Sequence, residues 1–408
     1  MKKKILDEII IGAGPSGLSY GLFSNKEKII LEKNNFPGGH ASSFKKKGYT
    51  LDYGPHILFS KNKDILNFII KSLGKNVSKC KRNNKISFKK KLVNYPFEND
   101  LASLDAKDNY DCLNDFLFNS YKNIKPKNLE QWLLKKFGKS ICKKYLFPYN
   151  EKVWNLKVKN LSMYWSSRIP NPPASDIIKG SLGIKTEGYL HQLYFHYPKK
   201  NGYQSISENW ANKLNINFNS GVKKIYKVNG KLMCEDINGN KFSSKKIIST
   251  MSIKDLIKST KFKIPKKIKK YVSELIINPM LIISLGIKGY DKNKYTAIYF
   301  PERDFPVNRI SFPKTFSKFN SPSNCYSIQA EITCKKSSKI WKDTNKNIIN
   351  IVQRGLIKRG IIPNYKSIVF SDIKRVNESY VVYDKKYEKN INIIRNWFKK
   401  QNIYLLGR

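Results

Sequence analysis

Short apolar runs, closely spaced, open the chain. Ile9-Ile10-Ile11 has the length of one buried parallel strand, and it breaks directly into Gly12-Ala13-Gly14-Pro15-Ser16-Gly17. Leu18 to Phe23 then reads as a helix, and a second run, Lys28-Ile29-Ile30-Leu31, ends on Glu32. Strand, glycine turn, helix, strand and acid stand in the order that a dinucleotide site needs. Gly12 allows the tight turn, Gly14 lets backbone come close to a pyrophosphate, and Gly17 lets the helix pack on the strand. Ser16 stands at the start of that helix, where free N–H groups and a positive dipole end face the phosphates. Glu32 would accept hydrogen bonds from the adenosine ribose, with Lys33 beside it in the same candidate site. A glycine-rich turn that happens to precede hydrophobic runs is the competing explanation.

Farther along, Gly38-Gly39 places bare backbone against something bulky, and Ser42 and Ser43 can donate to phosphate. Gly48 to Ser60 reads as a strand, a turn and a second strand, with His56 at the turn after Gly54-Pro55. Residues 61–135 are mainly helical by pattern: Asp64–Ile70 and Cys112–Leu117 each carry an apolar face, and Leu129 to Gly138 ends on a helix-stop glycine. Between them Lys85–Val93 alternates like a hairpin. Glu208–Leu214 predicts a helix. From Ile216 to Ser249 the pattern changes to strands joined by Asn229-Gly230 and Asn238-Gly239 turns. Residues 275–335 predict a β-sheet.

Composition narrows the function classes. At 408 residues the chain is long enough for two or three packed units, and 40% hydrophobic with 13% aromatic residues argues against disorder. The formal net charge of +48 suggests nucleic acid at first sight, yet only nine of the basic residues are Arg and the Lys excess is spread over the whole chain. A nucleic-acid surface clusters its basic residues and uses Arg forks, so the reading is no nucleic acid. The six Cys show no C-x-x-C pair and no zinc spacing, which fits reduced thiols in the cytoplasm and no metal. Asp7 and Glu8 interrupt the basic start before an apolar stretch forms, and the longest apolar stretch, near Leu275–Ile287, is too short to span a bilayer.

An N-terminal G-x-G-x-x-G, then Glu32-Lys33, Gly38-Gly39 and Asp52-x-Gly54-x-His56 resembles the FAD-binding family of amine oxidases, protoporphyrinogen oxidases and phytoene desaturases. Within it, Asp52-Tyr53-Gly54-Pro55-His56-Ile57 is most similar to the UDP-galactopyranose mutases. Tyr95-Pro96-Phe97, the Glu130–Gly138 helix and Pro148-Tyr149-Asn150-x-Lys152-x-Trp154 extend that likeness, as do Tyr299–Glu302, Arg309–Phe312 and Tyr326–Glu331. The resemblance implies an α/β fold: a Rossmann-like FAD-binding domain from residues 1–75, 195–255 and 375–408, a mainly helical insertion over 76–194, and a β-sheet substrate domain over 256–374. It implies FAD as cofactor, with the Gly-Gly segment and His56 along the flavin and Val222 covering the adenine through backbone groups.

It also places Tyr149, Asn150, Trp154 and Tyr383 in the substrate cleft, although Trp154 also fits a plain core aromatic. Arg168 and Arg309 become the groups on a substrate diphosphate, where a planar fork outperforms an ammonium; a surface pair with Asp176 is the other reading of Arg168. The activity implied is interconversion of pyranose and furanose forms of a nucleotide sugar for surface polysaccharide synthesis, with reduced flavin N5 as nucleophile and no catalytic triad. An FAD-dependent oxidoreductase and a non-catalytic nucleotide-binding remnant are the alternatives. The remnant arises because family members continue past Gly407-Arg408 into a segment that supports the flavin.

Overall fold

The strand Ile5–Ile11 runs parallel between Lys28–Leu31 on one side and Lys241–Ser249 on the other. The computed structural model describes residues 5–186, 193–291 and 294–407. Ile216–Asn217 extends this sheet beyond Lys28–Leu31. On the far side a meander of Val222–Val228 and Lys231–Asp236 leads into Lys241–Ser249, whose end also takes Ile403–Leu405 as a parallel neighbour. Asn229 and Gly230 both hold positive φ, the requirement of the tight hairpin turn that Asn-Gly favours.

Successive residues of the first strand point to opposite faces, and both faces are covered. Ile10, Ile30 and Ile248 pack with Leu18, Ile206 and Trp210 from the helices Pro15–Phe23 and Ser205–Ala211. Ile9, Ile11, Leu31 and Ile247 pack the other way, against Leu256, Ile394 and Phe398 from the helices Ile253–Ser259 and Tyr387–Lys400. The architecture is an α/β Rossmann-like layer joined to a second sheet.

That second sheet runs in the order Ile368–Val381, Ile277–Lys288, Cys325–Thr333, Arg309–Ser311, Ala297–Tyr299, Asn84–Phe88, Lys91–Asn94. Its second strand, Ile277–Lys288, comes from the long apolar run of the sequence and is buried along nearly all of its length. Among the described residues no helix is long and apolar enough to cross a membrane. The helices Ala106–Leu117, Leu129–Ile141 and Phe147–Trp154 lie beside the hairpin of this sheet. Gly138, at φ 73, interrupts the second of them where a Cβ would meet the Asp115 carbonyl oxygen at 2.2 Å.

Two stretches differ from the pattern reading. Residues 53–60 form a loop instead of a second strand, because Gly54 turns the chain at φ +89 before Pro55, leaving a single bridge from Leu58 to His196. Val77–Lys81 is a strand inside the mainly helical stretch, paired with Tyr194–Pro198. Its partner is more than a hundred residues away, and no local periodicity reports such a pairing.

Candidate functional site

The first glycine turn is built for close approach. A Cβ on Gly17 would lie 2.0 Å from the Gly12 carbonyl oxygen, so only glycine lets the helix start sit on the strand end. A Cβ on Gly14, by contrast, would meet nothing nearer than the Gly38 oxygen at 4.0 Å. The space over Gly14 is therefore open in front of a helix start that no side chain caps, and Ser16 and Gly17 supply first-turn N–H groups without intrahelical acceptors. Glu32 is buried and folds back onto the turn: Oε2 accepts the Ala13 N–H at 2.7 Å and Oε1 the Asn34 N–H at 2.9 Å. Lys33 is exposed and lies beside Gly221, the residue before Val222. These residues fit a dinucleotide: an uncapped helix start, an open floor, and an acid at the ribose end.

The second glycine pair docks on the first, with the Gly38 N–H donating to the Ala13 carbonyl at 2.9 Å. The Ser42 hydroxyl donates to the Gly39 carbonyl at 2.7 Å and the Ser43 hydroxyl to Asp52 Oδ1 at 2.6 Å, so both protons are held within the loop. Asp52 is the hub of this region. It also accepts the Tyr197 hydroxyl at 2.8 Å and the Tyr203 N–H at 3.1 Å. Its backbone carbonyl takes Gln329 Nε2 at 2.8 Å, which joins the loop to the second sheet. His56 stands over Tyr203, ring centroids 5.3 Å apart.

Burial pushes the Asp52 carboxyl up from 3.8 to about 6, against the Ser43, Tyr203 and Tyr197 hydrogen bonds. The native state then holds this proton more tightly than the unfolded chain does. The stability Asp52 contributes is full below about pH 4 and declines as pH rises toward about 6. Relative to Asp52→Asn, which cannot ionise, wild type should lose about 3 kcal/mol across that window. Paired urea unfolding curves between about pH 4 and pH 7 measure it; parallel pH profiles would contradict it.

A cleft of about 330 Å³ opens where the two sheets meet, lined by Gly54, His56, Ser249, Met280, Arg309 and Tyr380 among others. Ser249 is buried there, and its hydroxyl has no hydrogen-bond partner among the described residues. Arg309 Nε donates to Glu331 Oε2 at 2.7 Å and Nη2 to Oε1 at 2.9 Å, a bidentate pair between residues directly opposite in the sheet. Glu331 raises the Arg309 guanidinium well above its ordinary range, against the pull of burial. Gly54 makes room for the pair, since a Cβ there would lie 3.3 Å from Glu331 Oε1. Lys254 and Arg395 also line the cleft, and neither forms an ion pair among the described residues.

Tyr149 faces Tyr299 edge-on at 5.4 Å and stacks on Tyr145, close enough to Arg309 to feel its charge. Asn150 is buried and donates back to the Leu146 carbonyl of its own helix at 2.8 Å. Trp154 is buried among Trp165, Tyr380 and Tyr383, while Tyr383 stacks on Trp165. Arg168 is exposed with its guanidinium 5.0 Å from the Trp165 ring, and it is absent from the cleft lining. No ion pair joins it to Asp176 among the described residues. Arg309 and His56 thus line one hollow, with His40 of the second glycine loop and with Gly407, which packs beside Ser16, whereas Arg168 stands outside it behind an aromatic cluster. Arg408 lies outside the described residues. The pattern reading missed the Arg309–Glu331 pair, which the antiparallel register of two adjacent strands could have disclosed, and missed Lys254 and Arg395 for want of any local signal.

The crystal structure of reduced UDP-galactopyranose mutase superposes with a TM-score of 0.87, covering 98% of this chain and 89% of that one at 23% identity. The chain has the UDP-galactopyranose mutase fold. Residues 10–71 match the NAD(P)-binding Rossmann-like domain family. Putrescine oxidase also superposes on the chain, with a TM-score of 0.67 at 11% identity over 99% of this chain and 93% of that one. In sequence, the chain is 24% identical to dTDP-fucopyranose mutase of Escherichia coli over 228 residues, 53% of this chain and 56% of that protein. The match spans about half the length of that curated relative.

Proposed function

We propose that the chain is an FAD-dependent enzyme of the cytoplasm that interconverts the pyranose and furanose forms of a nucleotide sugar destined for surface polysaccharide. The observation that carries this is a cleft, within a mutase fold, that holds Arg309 and His56 and reaches His40 and Gly407, the neighbours of the two glycine turns. Ser16 and Gly17 would hold the cofactor pyrophosphate and Glu32 its ribose, with Val222 near the adenine. Gly38, Gly39 and His56 would flank the flavin. Arg309, Lys254 and Arg395 give the cleft a cationic rim for a diphosphate. Glu331 fixes the orientation of the Arg309 fork, so that the charge is in place before the substrate arrives. Reduced flavin, when bound, would supply the nucleophilic chemistry, and the residues around it would orient the sugar nucleotide against it. The apolar lining from Leu275, Ile277 and Met280 would exclude water from the site.

The purified protein, reconstituted with FAD, should show flavin absorbance. Titrating the reduced protein with UDP, UDP-galactose or dTDP-fucose should then perturb it. Flavin without any nucleotide response would remove the mutase reading; no flavin at all would leave a nucleotide-binding remnant. An oxidoreductase is the second reading. It draws support from the apolar and aromatic share of the cleft, including Leu275, Ile277, Met280 and Tyr380, and from the absence of Arg168 there. Reduction of the flavin by an amine would select it.

A further inference from the structure

Lys152 lies on the helix Phe147–Trp154, within one turn of Tyr149 and Trp154. Its Nζ donates to the backbone carbonyls of Phe300, Glu302, Phe305 and Val307, each at 2.7 Å. An ammonium carries three N–H groups, so four oxygens at one distance describe an ion held in a cage of dipoles rather than a set of separate directional bonds. No carboxylate pairs with Lys152 among the described residues. Residues 300–307 wind round this one charge. The loop is closed at its base by the Phe300 N–H donating to the Asn308 carbonyl at 3.0 Å, and buried Phe300, Phe305 and Val307 fix its outer side.

Without a cation four carbonyl oxygens would converge on one another with nothing to hold them. Burial pushes the Lys152 amine down to about 7, with Glu302 and Asp304 acting the other way. The four carbonyls also favour the charged form, because only the ammonium offers enough donors. Carbonyl rings of this kind are what potassium channels use to replace the hydration shell of K⁺.

We propose that the loop formed by residues 300–307 is a monovalent-cation site whose resident ion is the tethered ammonium of Lys152, and that this ion sets the distance between the Tyr149 helix and Arg309. The Tyr149–Tyr299 contact and the Arg309 side of the cleft both adjoin it. Tyr299, just before the loop, packs on Tyr149, and Arg309, just after it, faces Glu331. Lys152 is a positioning residue in this view, and the inference holds whether or not the cleft takes a nucleotide sugar.

The test is chemical rescue in the full chain, at constant ionic strength with choline chloride as the inert salt. Lys152→Ala should melt several degrees below wild type. Ammonium or K⁺ should return at least half of that loss in a saturable way, Li⁺ and choline should not, and wild type should be indifferent to all four. A second readout reports position. The destabilisation caused by Arg309→Met should shrink in the Lys152→Ala background and recover its wild-type size when ammonium is added. Lys152→Met, refolded from urea in ammonium and in choline, gives the same comparison if the alanine variant accumulates poorly. A melting loss that no cation relieves, or that every salt relieves equally, overturns the proposal. So does an Arg309→Met cost that is the same with Lys152 present or removed.

Discussion

Arg309→Met will destabilise the protein by about 3–5 kcal/mol, the cost of leaving a buried carboxylate without its partner. Glu331 is 2% exposed at its side chain and Arg309 25%, so water compensates neither well. The geometry is close to the best a guanidinium and a carboxylate achieve, two parallel bonds of 2.7 and 2.9 Å. Arg309→Lys should recover only part of the loss, since an ammonium is a point donor. The double variant Arg309→Met, Glu331→Leu should return to within about 1–2 kcal/mol of wild type, because removing both charges removes the desolvation cost as well. Urea midpoints of the four proteins decide it. A double variant as unstable as Arg309→Met alone would mean that packing, and not the unpaired carboxylate, sets the cost. If Arg309 also meets a diphosphate, the double variant will be folded and blind to UDP.

The second large effect separates folding from binding at one turn. Gly17→Ala puts a Cβ 2.0 Å from the Gly12 carbonyl oxygen, a backbone atom that can yield only if the helix start moves by about an ångström. The expected loss is about 1–3 kcal/mol of stability, as in other overpacked sites, together with the dinucleotide. Gly14→Ala meets no protein atom nearer than 4.0 Å. It should fold as wild type yet weaken FAD binding tenfold or more, since the methyl occupies the space left for the pyrophosphate. Thermal melts and flavin content of the two variants give the comparison. Equal flavin content in Gly14→Ala and wild type would place the cofactor elsewhere.

These two sites mark how far a linear sequence carries. Ile9 to Glu32 was legible because each of its parts is local: a buried strand, a glycine spacing, a helix and an acid within one βαβ unit. The meander was legible for the same reason, through its Asn-Gly turns. Val77–Lys81 was not, since its strand character comes from Tyr194–Pro198 rather than from its own alternation. Among the candidate substrate contacts, Arg309 was found by type and position while its partner went unnoticed, because pairing is a property of register and not of composition. Arg168 shows the reverse: the residue type suggested a ligand contact, and its surroundings are Trp165 and solvent. Lys152 stood in the Pro148–Trp154 motif with no role attached to it. Its role is visible only in the four carbonyls folded round it.

The hydrogen bond from Gln329 to the Asp52 carbonyl has a consequence for affinity. Gln329 is two residues from Glu331 on the same strand, and so on the same face of the sheet. Asp52 is two residues from Gly54, against which Glu331 rests. A dinucleotide that shifts the turn even slightly must pull on the strand that aims the arginine. Thermodynamic linkage makes such a pull mutual: by whatever factor one ligand tightens the grip on the other, it is itself held tighter by the same factor.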